Sequence, residues 1–77
     1  MTEKEWRENF ARTVRVKLRQ RRMKQKELAK EVNVSEAAMT AYMRCRRSPR
    51  IDVVTRMADA FECTTDELIR YNDKNNK

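Results

Sequence analysis

The stretch QKELAKEVNVSEAAMTAYMR, residues 25 to 44, decides how this chain is read. It holds two short amphipathic segments with a tight turn between them. In the first, Gln25 to Val32, the residues Leu28, Ala29 and Val32 share one face at helical spacing. In the second, Met39, Tyr42 and Met43 do the same, leaving Glu36, Ala37, Thr40, Ala41 and Arg44 largely on the other side. Asn33 stands between the two segments. Asparagine accepts a left-handed backbone better than most residues, so it can end the first helix where glycine usually stands. Val34 fills the bend. Ser35 is a good N-cap for the second helix, and Glu36 is favourably placed in its first turn. Ala29 is small where the second helix would cross the first. Such a crossing leaves the outer face of the second helix projecting, and a projecting helix fits the roughly 12 Å wide major groove of B-DNA. A plain helical hairpin inside a bundle explains the apolar positions equally well, so charge has to separate the two readings.

Charge favours the first. The 77 residues carry 19 Lys and Arg against 12 Asp and Glu, a net charge of +7 and a pI near 9.9. Between Arg12 and Lys30 lie nine basic residues and one acid, Glu27. Arg44, Arg46, Arg47 and Arg50 form a second basic cluster free of acids. From Ile51 to Asp73 the balance reverses, with Arg56 and Arg70 facing six acids. Segregation of this kind points the first fifty residues at a polyanion.

Other classes fall away on chemistry. The chain has no His and only two Cys, Cys45 and Cys63, so no zinc pattern and no dense disulfide framework can be built. Both are expected to be free thiols in a reducing compartment. No metal, no cofactor and no enzyme activity are expected, because no nucleophile stands beside a base and no Gly-rich phosphate loop is present. Apolar runs reach only three residues, as in Ala37-Ala38-Met39, where a membrane span needs about 20. The opening Met1-Thr2-Glu3-Lys4-Glu5 is too acidic for a signal peptide, so a cytoplasmic protein without membrane contact is expected. RNA is disfavoured, since the basic regions lack aromatics for stacking and an A-form major groove is too narrow for this helix.

The rest of the chain also reads as helix. Gly is absent and Pro49 is the only proline, so caps mark the boundaries. Thr2 and Glu5 form a capping box that opens a first helix with Trp6, Phe10, Val14 and Leu18 in one stripe, running to about Arg21. Met23 falls in the connection. Cys45 to Arg50 is a loop anchored by Pro49. A fourth helix spans Ile51 to Phe61 with Ile51, Val54, Met57, Ala58 and Phe61 facing inward. Thr64 and Glu67 read as another capping box, opening a short fifth helix with Leu68, Ile69 and Tyr71. One domain over residues 1–71 is expected, with 72–77 a polar, disordered tail.

The sequence resembles the Cro and phage-repressor family of helix-turn-helix regulators, often called the XRE family. The resemblance runs from Val14 to Leu68. It rests on Gln25, Leu28-Ala29, Val34-Ser35, Thr40-Ala41-Tyr42, Arg46-Arg47-Ser48-Pro49 and Met57-Ala58-Asp59-Ala60-Phe61, in order and spacing. It implies an all-α, compact five-helix lambda repressor-like domain whose second and third helices form the helix-turn-helix. It also implies a regulator of transcription, a repressor bound as a homodimer to a palindromic double-stranded operator. By position, Gln25 would bond a phosphate, Glu36, Ala37, Thr40 and Ala41 would lie where bases are read, Arg44, Arg46 and Arg47 would meet phosphates, and Ser35 would belong to the same DNA-binding surface. Residues between Arg15 and Lys26 are either further phosphate contacts or a solvated helix face. Leu68, Ile69 and Tyr71, and secondarily Trp6, are expected to pair two copies. A rival with the same fold is an antitoxin-type DNA-binding protein whose acidic C-terminal third holds a partner protein. Three positions depart from the family: Asn33 and Cys45 stand where glycine is usual, and Lys24 where Ser or Thr is common. Either Cys45 carries a left-handed strain of about 1–2 kcal/mol, or the turn is drawn differently.

Overall fold

The computed structural model describes residues 2–69, which form α1 (Glu3–Arg21), α2 (Gln25–Glu31), α3 (Glu36–Met43), α4 (Ile51–Phe61) and α5 (Thr65–Ile69). There is no strand among the described residues. Tyr71 and the tail at 72–77 lie outside them. Helix α1 packs on α3 and α5, α2 on α3 and α4, and α4 on α5. No helix among the described residues is long and apolar enough to cross a membrane.

The caps sit where the side chains allow them. The Glu5 N–H donates to Thr2 Oγ1 at 3.1 Å, and the Thr2 N–H donates to Glu5 Oε1 at 3.0 Å, a complete capping box. Ser35 Oγ accepts from the Ala38 N–H at 3.0 Å. Lys24 has no acceptor to offer, so at the start of α2 only the return bond forms, from the Lys24 N–H to Glu27 Oε1 at 2.7 Å. At α5 the box is also half made, but for a different reason. Thr64 Oγ1 accepts from the Glu67 N–H at 3.1 Å, while the Glu67 carboxylate leaves the cap and pairs with Lys17 of α1 at 2.6 Å.

The opposite ends are unusual for a chain without glycine. Arg22, Asn33, Cys45 and Glu62 have φ of 53°, 62°, 62° and 58°, each closing a helix from the left-handed region. Each belongs to a Schellman turn. The residue after it donates back five places, Met23 to Leu18 O, Val34 to Ala29 O, Arg46 to Ala41 O and Cys63 to Ala58 O, all at 2.9 Å. Met23, Val34 and Cys63 then fold their side chains against the core, supplying the apolar contact that completes the motif. Asn33 and Cys45 thus take the backbone their glycine-type positions imply. Nothing in the local sequence marks Arg22 or Glu62 for it. Distant arginines reach three of these ends: Arg56 Nε donates to Val32 O, Arg15 Nη2 to Met43 O and Arg21 Nη2 to Phe61 O, each at 2.8 Å.

The core collects one face of each helix: Phe10, Val14 and Leu18; Leu28, Ala29 and Val32; Met39, Tyr42 and Met43; Val53, Val54, Met57, Ala58 and Phe61; and Leu68. Trp6 is half-buried at its edge, meeting Phe10 edge-on with ring centroids 5.9 Å apart. Two expectations need correction. Ile51 is 71% exposed, and Val53 is buried in its stead. Helical side chains lean toward the N-terminus, so at the first position of α4 the side chain overhangs the end of the core despite its helical spacing to Val54. Leu68, expected to be left over for a second copy, is fully buried within its own domain, because α5 docks on both α1 and α4. Both cysteines are free. Burial pushes the Cys63 thiol above its usual range, with Lys17 pulling it back, Glu67 adding to the rise and Arg21 opposing it.

A left-handed backbone costs a residue with a Cβ about 1–2 kcal/mol. Glycine's greater unfolded-state freedom cancels roughly 0.5–1 kcal/mol of that cost. Arg22→Gly is therefore expected to raise the melting temperature by about 2–8 °C, and Asn33→Gly by less, since asparagine tolerates the conformation better. Thermal unfolding of the two variants side by side checks this, and an equal or reversed ranking would count against the account of the helix ends.

Candidate nucleic-acid interface

The side of α3 that does not enter the core is formed by the residues that the sequence pattern assigns to it. Glu36, Ala37 and Arg44 are exposed, and Thr40 and Ala41 are half-buried. Ser35, also exposed, holds the N-terminal end through its cap. Gln25, the first residue of α2, reaches across the turn and donates from Nε2 to Thr40 Oγ1 at 3.4 Å. That bond places a phosphate-type residue and a base-type residue side by side.

Past the end of α3 the chain turns sharply through Cys45. Arg46 and Arg47 are exposed, and the Arg47 guanidinium lies 5.8 Å over the Tyr42 ring, a cation–π contact that restrains its long side chain. Pro49 is buried and anchors the loop. Ser48 Oγ donates to Glu3 Oε2 at 2.8 Å, tying the loop to the first turn of α1. The nine candidate positions, Gln25, Ser35, Glu36, Ala37, Thr40, Ala41, Arg44, Arg46 and Arg47, therefore occupy one helix, its two ends and the adjoining start of α2.

Several basic residues turn out to have other destinations. Between Arg15 and Lys26, Arg15 donates to the Met43 carbonyl, Lys17 pairs with Glu67, and Arg21 binds the Phe61 carbonyl and Glu62. Arg19, Arg22, Lys24 and Lys26 remain exposed. Sequence reasoning did not single out Lys26 and Lys30 together. They line an open cleft of about 410 Å³ with Glu27, Ala29, Val34 and Glu36, so two lysines share a cleft with the first residue of α3. The i, i+4 spacing of Lys26 and Lys30 on α2 was the signal available for this.

The profile of the Cro/C1-type HTH DNA-binding domain matches residues 13–74 of this sequence. The chain belongs to that family. Its helix-turn-helix is α2 and α3 with the Asn33 turn between them. Comparison with curated proteins and with solved structures finds no match.

Helix α3 has only eight residues, so its single side-chain N-cap weighs heavily. Ser35→Ala is expected to cost about 1 kcal/mol and to lower the melting temperature by roughly 4–8 °C. Ser35→Asp should retain most of the stability, because aspartate caps as well and adds charge at the positive end of the helix. Thermal unfolding by circular dichroism distinguishes the two.

Proposed function

We propose that this protein is a sequence-specific regulator of transcription, a cytoplasmic repressor that binds a palindromic double-stranded operator as a homodimer. The observation that carries the proposal is the projecting outer face of α3, bordered by exposed arginines at its C-terminal end and by Lys26 and Lys30 near its start. One recognition helix spans only a few base pairs, too little to pick out a site in a genome. Two copies related by a twofold axis would read half-sites about one helical turn apart.

The roles follow from chemistry. Gln25 bonds a phosphate while holding Thr40 in place, and Ser35 sits at the start of the reading face. Ala37, Ala41 and the Thr40 methyl suit contact with thymine methyls, and Glu36 can accept from a cytosine amino group. A carboxylate so near phosphates needs cations beside it, and Lys26 and Lys30 share its cleft. Arg44, Arg46 and Arg47 meet backbone phosphates, with Arg47 already restrained over Tyr42. In the acidic third Asp52 lies near Arg50 and Arg56, Glu62 near Arg21, and Glu67 pairs with Lys17, while Asp59 and Asp66 are exposed. Co-purification of a second, unrelated chain would favour the rival antitoxin reading.

Selection from a random duplex library should return a palindrome, and light scattering should find two chains per site. Arg46→Ala and Arg47→Ala should then weaken all duplexes alike, each making the log–log salt slope shallower by about 0.9. Glu36→Gln should instead change the preferred base at one symmetric position per half-site, by about 1–3 kcal/mol. A library that yields no preferred sequence, or a monomer on the selected site, would sink the corresponding part of the proposal. Uniform losses for Glu36→Gln would show that its carboxylate serves only the helix end.

A further inference from the structure

Five arginines gather at the C-terminal end of α3, and they divide into two sets. Arg44, Arg46 and Arg47 belong to the recognition helix and its loop and are exposed. Arg7, half-buried, and Arg15, itself exposed, come from α1; Arg15 is aimed at the last carbonyl of α3 and Arg7 at a carbonyl in the turn that follows it. Arg15 Nη2 donates to Met43 O at 2.8 Å, and Arg7 Nη1 donates to Cys45 O at 3.5 Å. We infer that Arg15, supported by Arg7, is a positioning residue for DNA recognition: it fixes the C-terminal end of α3 and thereby the angle and register at which the reading face meets bases. The inference rests on the proposed function and goes beyond it, because neither residue was assigned to the interface.

The need for such a clamp follows from the helix itself. Helix α3 has eight residues and no basic residue in its last turn, and the arginines that follow it, Arg44, Arg46 and Arg47, direct no side-chain hydrogen bond at its terminal carbonyls. Its C-terminal turn passes through Cys45 at φ 62°, where a Cβ is unfavourable. Ser35 secures one end, and the other is left to a strained turn. Thr40 and Ala41, two of the reading positions, lie in the half of the helix that would loosen first. A guanidinium on the terminal carbonyl supplies a charge-assisted hydrogen bond and a cation at the dipole's negative end. Arg7 adds ties on the same side. The Cys45 thiol donates to Arg7 O at 3.7 Å, and Glu3 lies 3.9 Å from Arg7 Nη2 while accepting from Ser48. Helix α1 thus grips both the end of α3 and the loop that follows it.

Arg15 could instead serve as a phosphate contact or as bulk stability, and two variants separate these roles. Arg15→Met keeps the aliphatic stem without the charge; Arg15→Lys restores a cation within reach of one carbonyl. Without DNA, amide exchange in Arg15→Met should speed up by about tenfold or more at Arg44, Cys45 and Arg46, the loss expected for a charge-assisted hydrogen bond. Exchange at Val54 and Met57 in α4 should not change, and Arg15→Lys should recover much of the protection. On the selected operator, Arg15→Met should lose roughly tenfold in its preference over a scrambled duplex while keeping the wild-type salt slope. A slope shallower by about 0.9 would make Arg15 a phosphate contact and overturn the inference. So would exchange that accelerates equally in α3 and α4, or stays unchanged in both. Wild-type protein that selects no sequence overturns the regulatory reading instead, and the clamp is then decided by the exchange result alone.

Discussion

An α-helix leaves its first four N–H groups and last four C=O groups without partners inside itself, whatever its length. In a helix of seven or eight residues, such as α2 and α3 here, there is almost no interior between those ends. Stability then depends on how the terminal groups are satisfied rather than on helix propensity. The N-terminal ends of α1, α2, α3 and α5 are served locally, by Thr2, Ser35 and Thr64 and by the Glu27 carboxylate, while α4 begins without a side-chain cap. The C-terminal ends of α1 to α4 are served by left-handed turns, three of them also by arginines reaching in from other helices.

The absence of glycine sharpens that dependence. Four helix ends among the described residues turn through residues that carry a Cβ, each a position where glycine would relieve strain. Three of these ends also receive a guanidinium: Val32 from Arg56, Met43 and Cys45 from Arg15 and Arg7, and Phe61 from Arg21. Arginine suits the task because its planar fork donates several N–H groups at the end of a long reach and stays charged. The cations among the described residues therefore do not all serve one purpose. Arg7, Arg15, Arg21 and Arg56 bind the protein's own carbonyls, while Lys26, Lys30, Arg44, Arg46 and Arg47 are exposed on α2, the end of α3 and its loop.

That distinction marks the boundary of what the sequence discloses. Caps and apolar periodicity depend on residues a few places apart, and they are legible: Thr2 with Glu5, Ser35, Asn33 and the inward faces of α1, α2 and α3 all stand where the pattern puts them. The same holds for the position of the candidate reading face. Ile51 misleads because periodicity carries no information about where the core stops. Glu67 misleads because Lys17, fifty residues earlier, competes for its carboxylate. Arg15 and Met43 are separated by 28 residues, and Arg7 and Cys45 by 38, so no local rule marks an arginine as a cap rather than a solvated charge. Arg22 and Glu62 are hidden for a related reason. Neither residue type favours the left-handed region, and the docking of the following Met23 and Cys63 into the core forces the turn.

Helix α1 gives this arrangement its coherence. Through Glu3, Arg7 and Arg15 it holds the loop and the end of α3, and through Lys17 and Arg21 it holds α5 and the end of α4. With α3 supported from behind, its outer side chains divide by how deeply they are tied into the fold. Glu36, Ala37, Arg44 and Arg46 are exposed, so their identity is free to follow a binding partner at little cost in stability. Ser35, Thr40 and Arg47 are different, since the first caps α3, the second accepts from Gln25 and the third stacks on the buried Tyr42. Changes there move the scaffold and the surface together. A domain this small cannot separate the two entirely, because nearly every residue of an eight-residue helix is within one turn of an end.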